Sequence, residues 1–279
     1  MNDPHVVALY YHVETDDRLQ FDNAPPVEDE TEEFHMRLAD GIATFRMKQH
    51  YPSAASAREP VEAYLQAWSI ITALAHNGWS MRLVFDKDKT DIIHRAPAQP
   101  DVVTARATFT VRADISAQAT IVTEPITYPE PPKNFRISPL VEDMWYLFER
   151  YMQDRERLLP MANSCLTMLE YEAGDRNKAE KKYNIACRVL NTLGTFCATR
   201  GDRREARKLK RGSSKLQGLM HEEIMWLEAV LQRLILRAGE YACNPTAALP
   251  QLTMGDFPPL PEETKKLLEV SQPKKRKSS

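Results

Sequence analysis

The most distinctive set of chemically active residues is a basic stretch from Arg200 to Lys215. It carries eight cations against two carboxylates, which gives a net charge of +6. Arg203, Arg207 and Arg211 recur every fourth residue, and this spacing predicts a ridge along one face of a helix. Such a ridge suits nucleic-acid phosphates, because neutralised phosphates release condensed counterions. An acidic protein partner and a solvated helix face are the alternatives. No aromatic residues are interleaved to stack on bases.

Two other charged clusters favour structural interpretations over metal binding. The run from Asp86 to Asp91, with His94 nearby, offers carboxylates and an imidazole to a divalent ion. Its alternating signs weaken a cation site and are typical of a solvated hairpin. The run from His221 to Glu223 lacks the second histidine of a zinc-binding helix, so we expect it at the surface. No metal is expected.

The sequence contains no motif of the common nucleotide-driven or serine-hydrolase enzymes. It has only 9 glycines, no Gly-rich phosphate loop and no Gly-x-Ser-x-Gly elbow. No cofactor is therefore expected. An enzyme with residues assembled from both domains remains an alternative, with Glu170, Arg237, Glu240 and Tyr241 around the last long helix as candidates. Arg237 and Glu240 are also candidate binding residues beside the arginine ridge.

Bulk composition indicates an ordinary soluble protein. Hydrophobic residues make up 43% of the 279 residues and charged residues 27%, with a net charge of −2. The N-terminus has no basic region followed by an apolar run, and no stretch of about 18 apolar residues occurs, so we expect a cytoplasmic protein without membrane contact. The four cysteines form no Cys-x-x-Cys pair, which favours free thiols in a reducing compartment.

The N-terminal part, residues 1–124, is predicted to be an α+β domain. Strand-like runs cover 6–14, 34–39, 42–48, 79–85, 91–95, 102–111 and 118–123. Asp40-Gly41 is a hairpin signal between two of these runs. Residues 53–75 change to helical spacing. One main helix packed on a mostly antiparallel sheet would bury the apolar faces of both.

The C-terminal part is predicted to be a helical bundle. Residues 125–137 form a Pro-rich linker, and Ser138-Pro139 predicts the N-cap and first turn of the bundle domain, residues 138–243. A stripe from Ala179 to Cys197 predicts one helix. A second, wider apolar face from Leu216 to Ala238 predicts a helix in the middle of the bundle.

The remaining residues, 244–279, are rich in Pro and end in the basic run from Lys274 to Lys277. We expect poor order there. The basic run has the composition of a nuclear-import signal, but short basic tails often occur without that role, and a solvated tail is favoured.

Residues 139–243 resemble the HEPN superfamily of helical bundles. The resemblance rests on the run from Cys165 to Glu170, a long helix after it, and a final helix ending in Leu234-Ile235-Leu236-Arg237. Ribonuclease members carry an Arg followed after four to six residues by a His. No histidine lies in that range after Arg237, so the resemblance implies binding rather than cleavage. An α+β domain beside the bundle is similar to arrangements in uncharacterised bacterial proteins.

Together these patterns favour a non-catalytic binding or regulatory protein that contacts nucleic acid or an acidic partner. An enzyme, such as a divergent HEPN-like ribonuclease, is the first alternative. A structural module that forms a homodimer through the wide apolar face of the last helix is the second.

Overall fold

The computed structural model describes residues 3–14, 21, 24–75, 82–95, 127–201 and 218–271. Contacts divide the chain into unit 1, residues 1–73 and 79–131, and unit 2, residues 74–78 and 132–279. The division at Pro131 falls inside the predicted Pro-rich linker. An antiparallel sheet in unit 1 and helices in unit 2 confirm the α+β class. The strands predicted at 102–111 and 118–123 lie outside the described residues.

Unit 1 contains a five-stranded antiparallel sheet with the order β2-β3-β4-β1-β5. The strands are β1 (Asp3–Glu14), β2 (Val27–Glu30), β3 (Phe34–Ala39), β4 (Ile42–Met47) and β5 (Arg82–Arg95). The helix α1 (Ala54–Ala75) follows β4. As predicted, Asp40 and Gly41 turn the β3–β4 hairpin with φ of 52° and 73°, values that Asn, Asp and Gly tolerate best.

Alternating side chains give the sheet one apolar face and one polar face. The apolar face contributes buried aliphatic and aromatic residues from three strands, among them Leu9, Tyr11, Met36, Leu38 and Phe45. Val61, Tyr64 and Trp68 of α1 belong to the same core. The ring centroids of Tyr64 and Phe34 lie 5.2 Å apart in an edge-on arrangement. The Tyr64 hydroxyl donates to Asp29 at 2.8 Å, so the polar end of this buried ring is satisfied.

Unit 2 is built around one long central helix. Its helices are α2 (Pro139–Met152), α3 (Leu158–Ala173), α4 (Arg176–Tyr183), α5 (Cys187–Thr199), α6 (His221–Cys243), a 3-10 turn (Met254–Asp256) and α7 (Glu262–Ser271). The helix α6 contacts α2, α3 and α4. Its inward face is fully enclosed and includes Trp226, Leu227, Val230, Leu231, Leu234 and Ile235. The predicted mid-bundle helix is therefore present, although its predicted start at Leu216 lies outside the described residues.

Helix boundaries in unit 2 differ from the predicted ones at two places. Ser138 caps α2 as predicted, accepting the Val141 N–H at 3.3 Å. The apolar face from Met144 to Leu158 predicts that this helix continues to Leu159, but it ends at Met152 because Asp154 adopts a left-handed φ of 56°. The single helix predicted across Ala179 and Cys197 is two helices. Asn184, with φ of 47°, breaks it and turns the chain between α4 and α5.

The segment after α6 is folded up to Ser271, so the poor order predicted from its prolines is wrong for residues 244–271. Leu252 bridges to Ile185, and its carbonyl accepts the Ala186 N–H at 2.8 Å. Phe257, Leu260 and Leu268 are buried. Burial of these apolar side chains holds in place a Pro-rich backbone that has few hydrogen bonds of its own. The basic residues Lys274 to Lys277 lie outside the described part of the chain.

The two ends of the predicted linker pack into different units. In unit 1, Tyr128 stacks on Phe21 with centroids 4.7 Å apart, and its hydroxyl accepts the Gly41 N–H at 2.9 Å. In unit 2, Phe135 covers Gly239, where an added Cβ would lie 2.1 Å from the ring. None of the described helices is long and apolar enough to cross a membrane.

Candidate functional site

The three arginines of the predicted ridge, Arg203, Arg207 and Arg211, lie outside the described residues. The structure does describe the residues on either side of this basic stretch, which we call its base. Arg200 follows the last turn of α5, and Glu223 lies in the first turn of α6. The Arg200 guanidinium donates to Glu223 Oε1 at 2.6 Å, and its side chain is only 4% exposed.

Glu223 joins three elements through its carboxylate. Oε1 also accepts the Thr264 hydroxyl of α7 at 2.7 Å, and Oε2 accepts the Met220 N–H at 3.0 Å. Glu223 and Thr264 are both 0% exposed. A carboxylate in the first turn satisfies an otherwise unpaired backbone donor and is favoured by the helix dipole. We call Arg200, Glu223 and Thr264 the buried triad.

The prediction that the run from His221 to Glu223 lies at the surface is wrong for its last member. His221 and Glu222 are exposed, whereas Glu223 is enclosed. The enclosure is possible because one guanidinium and two further donors satisfy the buried carboxylate. It also means that Arg200 is not available to an external partner.

Arg237 and Glu240, the two predicted binding residues described here, meet inside unit 2. The Arg237 side chain is 0% exposed, and its Nε donates to Glu240 at 2.9 Å. Its other nitrogens donate to the carbonyls of Tyr183 at 2.9 Å and Pro250 at 2.8 Å. Burial lowers the pKa of the Arg237 guanidinium, while Glu240 opposes that shift. The guanidinium thus binds the chain's own carbonyl groups.

The other two residues of the enzyme alternative also have partners within the bundle. Glu170 accepts the Arg176 Nε–H at 2.6 Å, and Arg176 also donates to Asn191 at 3.0 Å. Tyr241 packs edge-on against Tyr183 with centroids 5.2 Å apart. The structure therefore brings Arg237 and Glu240 into direct contact and gives Glu170 a separate ion pair.

The run around Asp86 was predicted to be a solvated hairpin. In the structure it is instead part of the single strand β5, Arg82–Arg95. Asp86 Oδ2 lies 2.7 Å from His12 Nε2 on the neighbouring strand. Within the residues that the structure describes, no group of three His, Cys, Asp or Glu side chains is arranged to hold a metal ion.

The buried thiols are poorly suited to nucleophilic chemistry. Burial raises the pKa of both Cys165 and Cys197 to about 12, so each is a protonated thiol at neutral pH. Cys243 is exposed and Cys187 is partly buried.

Sequence reasoning missed a depression of 570 Å³ on the polar face of the unit 1 sheet. It is lined by residues of β1, β3, β4 and β5 and of the hairpin turn, namely Tyr10, Arg37, Ala39, Asp40, Ile42, Thr44, Lys89, Thr90 and Asp91. The Tyr10 hydroxyl donates to Asp91 at 2.7 Å. Alternation of polar and apolar residues in β1 and β3 was the available signal, because it predicts one polar sheet face.

A second depression, of 380 Å³, lies in unit 2. Phe148, Tyr151 and Met152 of α2 line one side, and Met225 and Glu228 of α6 line the other. The Tyr151 hydroxyl donates to Glu228, and burial together with this carboxylate raises the Tyr151 pKa. Its lining is mainly apolar and Met225 is 45% exposed.

No family model, no curated protein and no solved structure matches this chain. The resemblance to HEPN-like bundles therefore remains a hypothesis.

Proposed function

We propose that the protein is a non-catalytic binding protein that contacts a nucleic acid through a basic segment, residues 202–217. The proposed contacts are Arg203, Arg207 and Arg211. The observation that carries the proposal is the buried Arg200–Glu223 ion pair at the base of this segment. An acidic protein surface is the alternative partner.

Because Arg200 is paired with Glu223, its charge is not counted among the charges that are available to a partner. With Arg200 neutralised by Glu223, the basic segment holds seven cations and two carboxylates, a net charge of +5. The whole chain carries −2, so the rest of it carries −7. A strong local excess of cations on an otherwise acidic protein favours attraction of a polyanion to that segment.

The buried triad also fixes both ends of the basic segment to unit 2. The chain leaves after Gly201, next to Arg200, and is described again from Gly218, close to Glu223. A segment tied at both ends has fewer conformations than a free terminus of the same length. Binding of a partner by such a segment therefore costs less conformational entropy than binding by a free terminus.

Neither the enzyme alternative nor the homodimer alternative gains support from the described residues. The Arg237 guanidinium, which the enzyme alternative needs, is enclosed by backbone carbonyls of the same chain. The apolar face of α6, on which the homodimer hypothesis rests, is covered by other elements of unit 2.

Fluorescence anisotropy with labelled single-stranded RNA, single-stranded DNA and duplex DNA over a salt series tests the proposal. We expect log K to fall linearly with log salt concentration, because binding releases counterions. The triple variant Arg203→Gln, Arg207→Gln, Arg211→Gln should reduce the magnitude of that slope by roughly 2 to 3, since each phosphate contact contributes up to about 0.9.

A matched control removes three exposed cations elsewhere in unit 2, with Lys133→Gln, Arg155→Gln and Arg188→Gln. It makes the same change in net charge and should leave the slope nearly unchanged. An equal loss in both variants would show a general charge effect and contradict the assigned contacts. Absence of binding at low salt would remove the nucleic-acid proposal, and binding to polyglutamate alone would favour the acidic protein.

A further inference from the structure

Side chains from neighbouring strands form the floor of the depression on the polar face of the unit 1 sheet, and the pairing register of the strands decides which of them are adjacent. Thr44 of β4 pairs with Tyr10 of β1 on one side and with Arg37 of β3 on the other. Their side chains therefore stand next to each other in one row across three strands, about 5 Å apart. The volume of 570 Å³ falls within the range of about 300 to 1,000 Å³ that is common for small-ligand sites.

Charges of both signs line this depression without neutralising each other. Arg37 and Lys89 supply cations, and Asp40 and Asp91 supply carboxylates. Arg37 makes one loose ion pair, from Nε to Glu28 Oε1 at 3.6 Å, and is 58% exposed. In the part of the chain that the structure describes, the side chains of Lys89 and Asp40 form neither an ion pair nor a hydrogen bond. Both signs are thus available to a ligand.

Tyr10 holds one of the two carboxylates in place. Its hydroxyl donates to Asp91 Oδ2 at 2.7 Å across the β1–β5 pair. This hydrogen bond, with burial, raises the pKa of Tyr10 to about 12, so the hydroxyl remains a donor at neutral pH. Asp91 keeps further lone pairs that can accept a hydrogen bond from a ligand.

We propose that the depression binds a short zwitterionic peptide. Its carboxylate pairs with Arg37 on β3, and its ammonium group pairs with Asp91 on β5. The site lies in unit 1 and does not depend on the proposed nucleic-acid contact of unit 2.

The width of the site selects the length of the ligand. The strands β3 and β5 are separated by three inter-strand steps, about 14 Å between their backbones. Side chains that lean inward shorten the gap, and a tripeptide of about 10 Å spans what is left, whereas a single amino acid does not. The two carboxylates disfavour a purely anionic ligand such as a nucleotide, and the two cations disfavour a polyamine.

Saturation-transfer NMR with Gly-Xaa-Gly tripeptides and the full-length protein tests the proposal, followed by calorimetry on the tripeptide that gives the largest signal. Each tripeptide is compared with its N-acetylated, C-amidated and doubly blocked forms. We expect blocking of either terminus to weaken binding about tenfold, because each block removes a charge-assisted contact.

Variants assign the two ends of the ligand. In Asp91→Asn, acetylation should no longer matter, while in Arg37→Gln, amidation should no longer matter. Arg82→Gln changes an exposed cation of β5 outside the depression and is the matched control, with unchanged binding expected.

Two results would overturn the proposal. One is equal affinity for the free and the doubly blocked peptides, and the other is no binding of any free tripeptide at millimolar concentration. Far-ultraviolet circular dichroism of each variant checks that the fold is retained, so that a loss of binding is assigned to the charge that was removed.

Discussion

Two arginines of unit 2 are enclosed as charged groups, and each is paired with a carboxylate of the same chain. Arg200 is 4% exposed and Arg237 is 0% exposed. Isolated buried charges are very costly, so each guanidinium needs a carboxylate and further acceptors to be tolerated. For Arg237 these acceptors come from three places, namely Glu240 one turn later, the end of α4, and the segment after α6. Arg237 therefore connects elements.

We predict that Arg237→Met destabilises unit 2 by about 3 kcal/mol, because it leaves the buried Tyr183 carbonyl without this donor and removes the hydrogen bond to the Pro250 carbonyl. Urea unfolding followed by circular dichroism measures the change as a lower midpoint at unchanged m value. The matched control is Arg233→Met, which removes a cation from the same Glu240 carboxylate at a site that is 29% exposed. It should cost about 1 kcal/mol or less. Equal costs would contradict the role assigned to Arg237.

At the residue scale, the sequence singled out Arg237 and Glu240, but it did not predict the role that they have in the structure. Arg237 and Glu240 stand out as a charged pair at the end of an apolar helix, and their spacing of three residues predicts their mutual contact. The carbonyls of Tyr183 and Pro250 carry no side-chain signal and become partners only after α4 and the last segment pack on α6. Arg237 was therefore expected at a binding site, although it lies in the interior.

At the scale of elements, the buried triad makes α7 part of the same junction as α5 and α6. Thr264 gives α7 a polar contact with this junction, and Leu268 of the same helix is buried. Glu223 accepts from Thr264, Arg200 and the Met220 N–H, so changing its charge affects all three partners at once.

We predict that Glu223→Gln loosens α7. The neutral amide removes the carboxylate that pairs with the buried Arg200, which costs about 3 kcal/mol or more. Trypsin should then cleave faster after Lys265 and Lys266, both of which lie in α7. Mass spectrometry of the cleavage products over time gives the rate at these two sites.

Glu222→Gln is the control for that experiment, because it makes the same chemical change at the adjacent exposed position. Cleavage at Lys265 and Lys266 should proceed there at the rate of the parent protein. If both variants are cleaved equally fast, the buried triad does not hold α7.

Local sequence patterns correctly predicted the elements whose structure depends only on residues close together in the sequence. Helix α1, the Asp40-Gly41 turn and the Ser138 cap each follow from residues within a few positions of each other. The break at Asn184 was missed because the apolar stripe continues through it, and both halves bury that stripe. The folding of residues 244–271 was missed because it depends on distant partners such as Ile185 and Glu223.

At the scale of the whole molecule, each unit has its own core. The unit 1 core joins the apolar sheet face to α1, whereas the unit 2 core surrounds α6. The polar depression and the base of the basic segment belong to different units. The two proposed binding activities can therefore be lost separately, and a variant in one site is a natural control for the other.

We predict that residues 132–279 fold without unit 1, because α6 and the helices packed on it supply a complete core. The fragment should show a helical circular dichroism spectrum and a cooperative thermal transition.

A second fragment, residues 138–279, keeps every helix but lacks Phe135, which covers Gly239, and Arg136, whose N–H donates to the Gly239 carbonyl at 3.1 Å. It should be less stable by about 2 to 3 kcal/mol, since one buried aromatic side chain is lost. A broad, non-cooperative transition in the longer fragment, or equal stability of the two, would contradict this assignment of the boundary.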